Sequence, residues 1–412
     1  MYSFSGKIKL VAIISMVVGL LGIGYSFIAT PSTVEALGAH ASHDPAHAEH
    51  VLHLLQNKPW AALYVAALFF MLISLGVLAF YAINRAAQAG WSPILFRVME
   101  GITGYLPIGA LVFFLLLVFS GLHFNHLFIW MDPAVVAHDT VIQGKTGYLN
   151  VPFFLVRTAI YMLGWIAYRQ ITRKLSKAQD QAHDNRPFIK AFKWSAGFLV
   201  FFLVSESMMS WDWVMSVDPH WFSTLFGWYV FGSLITSAIA AIILVTVTLK
   251  AQGYLQQVND SHLHDLAKYL FGFSIFWTYL WFSQYLLYWY SNIPEEVTYF
   301  VTRLEHYEPI VLSMLAINFL LPLLILVDSD IKRKPWVVGT MAVVILIGHY
   351  LDFFNMIMPA TVGDQWCIGA GEIGSVLFFF GLFTFVTFHS LTKAPLVEKN
   401  HPLMHESEHF HY

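Results

Sequence analysis

The sequence contains one cysteine, Cys367. A single thiol excludes an intramolecular disulfide, a four-cysteine iron–sulfur cluster and a CxxCH haem attachment. Charged residues are also scarce, because Asp, Glu, Lys and Arg together make up 11% of the chain. No basic stripe or nucleic-acid-binding module is present, so we expect no nucleic-acid partner.

Hydrophobic residues make up 58% of the sequence and recur in long runs. A run of about twenty apolar residues crosses the hydrocarbon core of a membrane as a helix. The sequence therefore predicts an all-α polytopic membrane protein that forms a single membrane domain. The ten predicted spans are residues 8–29, 59–84, 105–126, 149–171, 188–209, 223–250, 266–290, 309–327, 336–358 and 369–391. The first is longer than a secretory signal core, so we expect it to be an anchor.

Basic residues fall almost entirely on alternate loops. One set of loops, from Lys7 at the start of the chain to Lys399 at its end, carries nearly all of them. The opposite set has only Lys58, Lys145 and Arg303. By the positive-inside rule both termini are predicted to be cytoplasmic, which requires an even number of spans.

Five ionisable residues within the predicted spans form a candidate proton path. Buried ionisable groups are costly in a membrane and default to functional hypotheses. They are His123 in the third span, Arg157 in the fourth, Glu206 in the fifth, and His349 and Asp352 in the ninth.

Structural pairing is the alternative for each of these residues. Arg157 and Glu206 lie on consecutive antiparallel spans, so an ion pair between them is one expectation. His349 and Asp352 are three residues apart and share a helix face. A carboxylate beside an imidazole suits a proton relay. The alternative is a structural role, in which these side chains make a hydrogen bond between helices. Haem b is not expected, because His123 and His126 share one helix and leave only His349 opposite them.

Two histidine-rich segments stand outside the spans. His40, His43, His47, His50 and His53 fall on one face of a predicted short helix in the first outer loop. This helix either binds a metal or responds to pH, or it is a polar interfacial helix that contacts a partner. The C-terminal HPLMHESEHFHY is predicted to be a flexible cytoplasmic end or a partner contact rather than a metal site.

Residues 206–227, ESMMSWDWVMSVDPHWFSTLFG, mix acids, tryptophans and a histidine at a membrane boundary on the outer face. Asp212, Asp218, His220 and Trp221 lie in this stretch. The segment NIPEEVTYF follows the seventh run and places Glu295 and Glu296 on the same side, where they form either a solvated face or the mouth of a proton exit.

Two motifs on this face resemble those of a known family. They are WDWVMSVDPHWFSTLFGWYVF at residues 211–231 and QYLLYWYSNIPEEVTYF at residues 284–300. They are similar to the NrfD-like membrane subunits of alternative complex III, a bacterial quinol:cytochrome c oxidoreductase. The resemblance covers essentially the whole chain, and the modest length and short tail resemble the ActF branch more than the paralogous ActC branch.

The resemblance implies a fold of two four-helix bundles, at about residues 59–209 and 223–358. Spans one and ten flank the bundles, and residues 392–412 form a cytoplasmic tail. It also implies a location in the bacterial inner membrane and a role in binding menaquinone or quinol, with no haem or iron–sulfur cluster on this chain. The implied partners are an ActC-type subunit, an iron–sulfur protein, multihaem and monohaem cytochrome c subunits, membrane lipids and a terminal oxidase.

The motif residues define a candidate quinone or partner face. Asp218, His220 and Trp221 match the family's DPHW segment, and Glu295 and Glu296 match its IPEE segment. Asp212 precedes the DPHW segment and is included with them.

Three hypotheses follow. The first is a redox-complex subunit that binds quinol and helps to move protons. The second is an inactive structural anchor of the same complex. The third is a secondary transporter, which the concentration of polar residues at the outer edge disfavours, because transporter sites lie near the midplane.

Overall fold

The computed structural model describes residues 1–36 and 45–411, and this part of the chain is built from helices without any strand. Nine helices of the described residues are long and apolar enough to cross a membrane. The protein is therefore a polytopic helical membrane protein, as predicted. His40 and His43 of the first outer loop lie outside the described residues.

Eleven helices of the described part are labelled in chain order. They are α1 (Gly6–Ala29), α2 (Pro45–Ala86), α3 (Pro93–Gly121), α4 (Val151–Gln179), α5 (Arg186–Trp213), α6 (Phe226–Ala251), α7 (Asp260–Ser291), α8 (Pro294–His306), α9 (Glu308–Ile325), α10 (Pro335–Val362) and α11 (Ala370–Leu391). The nine apolar helices are all of these except α7 and α8.

The predicted seventh span, residues 266–290, lies inside α7. This helix has 32 residues, long enough for a crossing, but it is not among the nine apolar helices of the described chain. Its sequence is dense in Trp and Tyr, whose polar tips lower the hydropathy of a segment that is otherwise bulky and apolar.

The end of the third helix differs from the prediction. The third span was expected to reach His126, but α3 ends at Gly121. His123 takes a left-handed backbone conformation with φ of 62°, which stops the helix, and its side chain is exposed. The prediction that His123 and His126 lie inside the third helix is therefore wrong.

The histidine-rich segment of the first outer loop is continuous with the second span. His47, His50 and His53 are exposed on the first turns of α2, which begins at Pro45 rather than as a separate short helix. The His53 ring packs edge-on against His126 at 5.9 Å between centroids. A shared helix face was predicted correctly for these three residues.

The centre of the protein is formed by α2 and α6, the two most buried helices. α2 packs against α3, α5, α6, α10 and α11, and α6 also contacts α7. Gly76 permits the close approach of α2 to α6, because a Cβ there would lie 2.6 Å from the carbonyl oxygen of Leu234. By contrast, α1 is peripheral and packs mainly along α11.

The C-terminal segment after α11 packs against one end of the protein, which we call the basic end. This end comprises the loops that carry Arg85 and Arg97, Arg169–Lys193, Lys250–Lys268, Lys332–Lys334 and Lys393–Lys399. The Glu398 carboxylate accepts hydrogen bonds from Arg85 and from the Ser176 hydroxyl. Ser407 is fully buried and donates to the Trp91 carbonyl at 2.8 Å. The prediction of a flexible end for residues 401–412 is therefore wrong for the described residues, 401–411, while the alternative, a contact with a partner, stays a prediction.

Candidate functional site

Residues 206–227 bring together most of the side chains predicted for the outer face. They form the last turns of α5, a short 3-10 turn at Met215–Val217, and the loop that leads into α6. Asn150 caps the neighbouring α4 by accepting from the backbone N–H of Phe153. The start of α4 and the end of α5 therefore lie side by side at the end opposite the basic end.

Arg157 on α4 forms a two-point ion pair with Asp212 on α5. Its Nε donates to Asp212 Oδ2 at 3.0 Å, and its Nη2 donates to Asp212 Oδ1 at 2.8 Å. The Tyr161 hydroxyl also donates to Oδ2 at 3.2 Å. The Arg157 side chain is 4% exposed and that of Asp212 is fully buried. Parallel bonds from a guanidinium to a carboxylate combine charge with fixed geometry, so this pair joins α4 rigidly to α5.

The expected partner of Arg157 was Glu206, and that pairing is wrong. Glu206 lies almost two turns before Asp212 on α5 and is 3% exposed. Its Oε1 has no hydrogen-bond partner among the described residues. Asp212 is closer to the C-terminal end of α5, where it meets the first turns of α4. Glu206 is therefore a buried carboxyl group without a cation among the described residues.

A pocket of about 390 Å³ opens beside the Arg157–Asp212 pair. Its lining includes Tyr148, Trp211, Asp218 and Trp221. The indole N–H groups of Trp211 and Trp221 are both buried and have no hydrogen-bond partner in the described structure. A buried donor left unpaired is costly, so the pocket is suited to a ligand that offers acceptor oxygens.

Tyr148 connects this pocket to the ion pair. Its ring lies 3.9 Å from the guanidinium carbon of Arg157, and its carbonyl oxygen accepts from Arg157 Nη1 at 3.0 Å. Burial, together with the nearby Asp212 carboxylate, raises the pKa of Tyr148 to about 12. The phenol is therefore protonated at neutral pH.

The second motif packs directly against the first. The rings of Trp221 and Tyr299 stack with centroids 4.0 Å apart, and the Tyr288 hydroxyl donates to the Phe222 carbonyl at 3.1 Å. A second pocket of about 330 Å³ shares Phe222 with the first and is lined by Gln284 and Glu296 among others. The two motifs, at residues 211–231 and 284–300, thus form one surface, as expected for motifs on the same side of the protein.

His220, Asp218 and Glu295 take different places on this surface. The exposed His220 contacts Asp139 through its Nε2 at 2.6 Å from Oδ2. The backbone N–H of Ile142 and then this histidine lower the pKa of Asp139. Asp218 lines the 390 Å³ pocket, while the Glu295 side chain is exposed on the first turn of α8.

A second polar centre lies among α6, α7 and α10. Asp352 is fully buried and accepts hydrogen bonds from the Tyr229 hydroxyl, from Ser233 Oγ at 2.6 Å and from Trp277 Nε1 at 2.8 Å. The Nδ1 atom of His349 lies 3.7 Å from Asp352 Oδ2, and neither ring nitrogen of His349 has a hydrogen-bond partner in the described chain. The predicted shared face of His349 and Asp352 is confirmed.

This centre lies deeper than predicted. His349 is near the middle of α10, which extends to Val362. Opposite it, α9 has a π-helical turn at Ala316–Leu320, and the amide of the fully buried Asn318 in that turn lies against Gly348. π-Turns inside α-helices recur at functional sites.

Tyr229, Trp277 and Asn318 were not among the residues predicted from sequence. The predicted proton path considered ionisable groups only, and the neutral donors around Asp352 resemble ordinary interfacial aromatic residues. Asn318 did carry a signal, because it is the sole amide in the apolar run of residues 309–327.

The structure therefore separates the predicted proton-path residues into two centres and two isolated positions. Arg157 belongs to the ion pair with Asp212, and His349 and Asp352 belong to the second, deep centre. Glu206 is buried alone, and His123 is exposed beyond α3. No group of three His, Cys, Asp or Glu residues suited to a metal ion occurs within the described residues.

No protein-family model matches this sequence, and no curated protein matches it.

Proposed function

We propose that the protein is a membrane subunit of a bacterial quinol:cytochrome c oxidoreductase of the alternative complex III type, similar to ActF. In this proposal it binds menaquinol or menaquinone in the 390 Å³ pocket at the end opposite the basic end. The observation that carries the proposal is that Trp211 and Trp221, whose indole N–H groups are buried and have no hydrogen-bond partner among the described residues, both line one pocket beside a buried ion pair.

The chemistry of a quinone suits this arrangement. Its flat ring carries two oxygens that accept hydrogen bonds, and its isoprenoid tail needs an apolar surface. The two indole N–H groups would orient the ring, and the Asp218 carboxylate in the same lining would accept a proton from a quinol hydroxyl. Oxidation of a quinol releases two protons and two electrons, and the electrons would pass to an iron–sulfur partner subunit.

The proposed topology has ten spans, with α7 as the crossing that hydropathy alone omits. Both termini and the basic end would be cytoplasmic, and the first and second bundles would be α2–α5 and α6–α10 without α8. Contacts of α2 with α3 and α5, and of α6 with α7 and α10, support this division. The quinol pocket would then face the outer side of the inner membrane, between the two bundles.

In this scheme the deep centre takes part in proton translocation. His349 and Asp352 are a buried imidazole and a buried carboxylate, and neither ring nitrogen of His349 has a hydrogen-bond partner among the described residues. Glu206 would be a further proton-carrying group, since a buried carboxyl group without a cation is a functional hypothesis by default.

The partners in this scheme are an ActC-type subunit, an iron–sulfur protein, the cytochrome c subunits and a terminal oxidase. The face formed by Asp218, His220, Trp221, Glu295 and Glu296 is where a partner would dock. The alternative is a structural anchor without a quinol site. It would need the same docking face, but the indole N–H groups of Trp211 and Trp221 would have no role in it.

The test compares three tryptophan variants of the intact complex. Trp211→Phe and Trp221→Phe each remove one N–H and keep an aromatic ring, while Trp289→Phe is the control because Trp289 is 63% exposed on α7. Losing one hydrogen bond should raise KM for quinol about threefold to tenfold. The Trp289→Phe complex should behave as the unmodified complex does.

Gel filtration and haem content measure whether the complex assembles, so a lost quinol site can be distinguished from a failure of assembly. Normal KM and turnover in fully assembled Trp211→Phe and Trp221→Phe complexes would contradict the quinol site and favour the anchor.

A further inference from the structure

A cavity of about 420 Å³ lies in the half of the protein nearest the basic end, away from both polar centres. Five helices wall it: α1, α2, α6, α10 and α11. Its lining is apolar over most of its extent, with Phe70, Leu244, Leu346 and Phe383 as examples. The volume is within the range of roughly 300–1,000 Å³ that is typical of small-molecule sites.

The polar residues of this lining are Lys7, Thr248, Thr384 and Thr387, which lie toward the basic end. Lys7 lies one residue after the start of α1, and Thr387 lies in the last turn of α11 before Leu391. Thr387 is fully buried, and its Oγ1 has no hydrogen-bond partner among the described residues. A helical threonine normally satisfies its hydroxyl on the carbonyl one turn earlier, so this free donor indicates a missing acceptor.

The order of charged, polar and apolar groups along the cavity matches that of an anionic phospholipid. From the basic end inward, the cavity offers an exposed ammonium, then a buried hydroxyl, then an apolar channel. A phospholipid presents its phosphate, its ester carbonyls and its acyl chain in that same order. Lys7 makes no ion pair within the described chain, so its charge is available for a headgroup.

We propose that this cavity binds an anionic phospholipid of the leaflet at the basic end. One acyl chain fills the space between α6 and α11, an ester carbonyl accepts a hydrogen bond from Thr387, and the phosphate pairs with Lys7. The site is independent of quinol binding, since it shares no residue with the pocket at the opposite end.

The test uses the full-length chain in nanodiscs of phosphatidylcholine that contain phosphatidylglycerol with a diazirine on its acyl chain. After illumination, labelled peptides are mapped by mass spectrometry. Labelling is expected on the α6 and α11 residues that line the cavity, from 241 to 248 and from 380 to 387.

Matched variants test the headgroup and the cavity separately. Lys7→Gln should lower cavity labelling about fivefold, the factor that one lysine contributes near an anionic surface. Lys9→Gln, two residues further along α1 and outside the lining, should leave labelling nearly unchanged. Val245→Trp should block the cavity, whereas Val200→Trp on the exposed face of α5 should not.

Four outcomes would overturn the proposal. The first is equal labelling by the corresponding phosphatidylcholine probe, which would remove the preference for an anionic lipid. The second is the same response to Lys7→Gln and Lys9→Gln. The third is labelling of the exposed α5 face as strong as that of the cavity. Competition by menaquinone but not by unlabelled phosphatidylglycerol would also contradict it.

Discussion

Single residues decide how this protein holds charge in an apolar interior. The Arg157–Asp212 pair has its charges compensated and its geometry fixed by two bonds and a tyrosine. Asp352 is surrounded by neutral donors instead. The compensated Arg157–Asp212 pair suits a rigid contact between helices, whereas Asp352 among neutral donors suits a group that gains and loses a proton. We therefore test the first by stability and the second by proton uptake.

Breaking the buried pair should be far more harmful than breaking an exposed one. Asp212→Asn leaves a buried guanidinium without an anion, and we expect a loss of about 3–5 kcal/mol. Asp184→Asn is the control, because Asp184 and Arg186 pair in solvent and such pairs contribute about 0–1 kcal/mol. Thermal unfolding of the full-length chain in detergent measures both.

The double variant Arg157→Met with Asp212→Leu sharpens this prediction. Removing both charges should restore most of the stability that either single change loses. If the double variant loses as much unfolding free energy as Arg157→Met and Asp212→Leu lose together, the broken ion pair is not the source of the loss.

Burial of His401 makes docking of the C-terminal segment sensitive to acid. Burial, and then the charge of Arg85, lowers the pKa of His401 to about 3. A free histidine has a pKa of about 6.5, so docking is fully favoured above that pH and weakens as the pH falls toward 3. The protection factor for amide hydrogen exchange in the Met404–Glu408 helix, which compares the observed rate with the intrinsic rate at the same pH, should fall by at most about tenfold per pH unit for this one proton.

The neighbouring groups require a control for that measurement. Glu398 lies 3.8 Å from His401, and burial raises the pKa of that carboxyl group. Burial also lowers the pKa of His262, which meets the Ser407 carbonyl. His401→Gln should therefore flatten the pH dependence between about pH 6.5 and 4.5 without abolishing it. An unchanged slope in this variant would reject the assignment to His401.

The residue types of the site were predictable from sequence, but the pairing was not. Arg157 and Glu206 stand out because charge inside a span is conspicuous. The register between α4 and α5, which selects Asp212 as the partner, depends on packing and on the connecting loop of residues 180–185. His123 was misplaced for a local reason, since nothing in the sequence showed that its backbone would turn left-handed.

Helices are the scale at which sequence prediction worked best here. Nine predicted spans coincide with nine apolar helices of the described chain, because long apolar runs leave the backbone no alternative in lipid. The extension of α2 through Pro59 and the π-turn in α9 were not predictable, since both depend on neighbouring helices. The docked C-terminal segment was missed because the residues that it packs against, such as Trp91 and Ser176, are distant in sequence.

The contact between α1 and α11 depends on glycines that allow the two backbones to touch. A Cβ at Gly374 would lie 2.9 Å from the Gly19 carbonyl oxygen, and one at Gly19 would clash with the backbone of Phe378. Gly19→Leu should therefore release α1 from α11 and lower the unfolding temperature. Gly24→Leu is the matched control, because a Cβ at Gly24 meets nothing within 4 Å.

The separation of α1 can be measured directly by the distance between two spin labels, one on each helix. A broad, longer distance is expected for Gly19→Leu alone. The same narrow distance in both variants would show that close backbone contact is not what holds α1.

The two polar centres of the molecule lie on different helices. The Arg157–Asp212 pair joins α4 to α5, and the centre around Asp352 lies among α6, α7 and α10. If the deep centre carries protons, Asp352→Asn should lower proton uptake by vesicles that hold the complex while quinol oxidation continues. Ser237→Ala on α6 is the control, because its hydroxyl bonds only to the Ser233 carbonyl of its own helix. An unchanged ratio of protons to electrons in Asp352→Asn would exclude a path through this carboxylate.

The most direct test of the central claim is photolabelling of the intact complex with an azido-menaquinol analogue. The account predicts labelled peptides from residues 144–149 and 211–222 of this chain, and labelling that excess menaquinol prevents. Labelling confined to the paralogous membrane subunit, with none on these residues in a fully assembled complex, would contradict it.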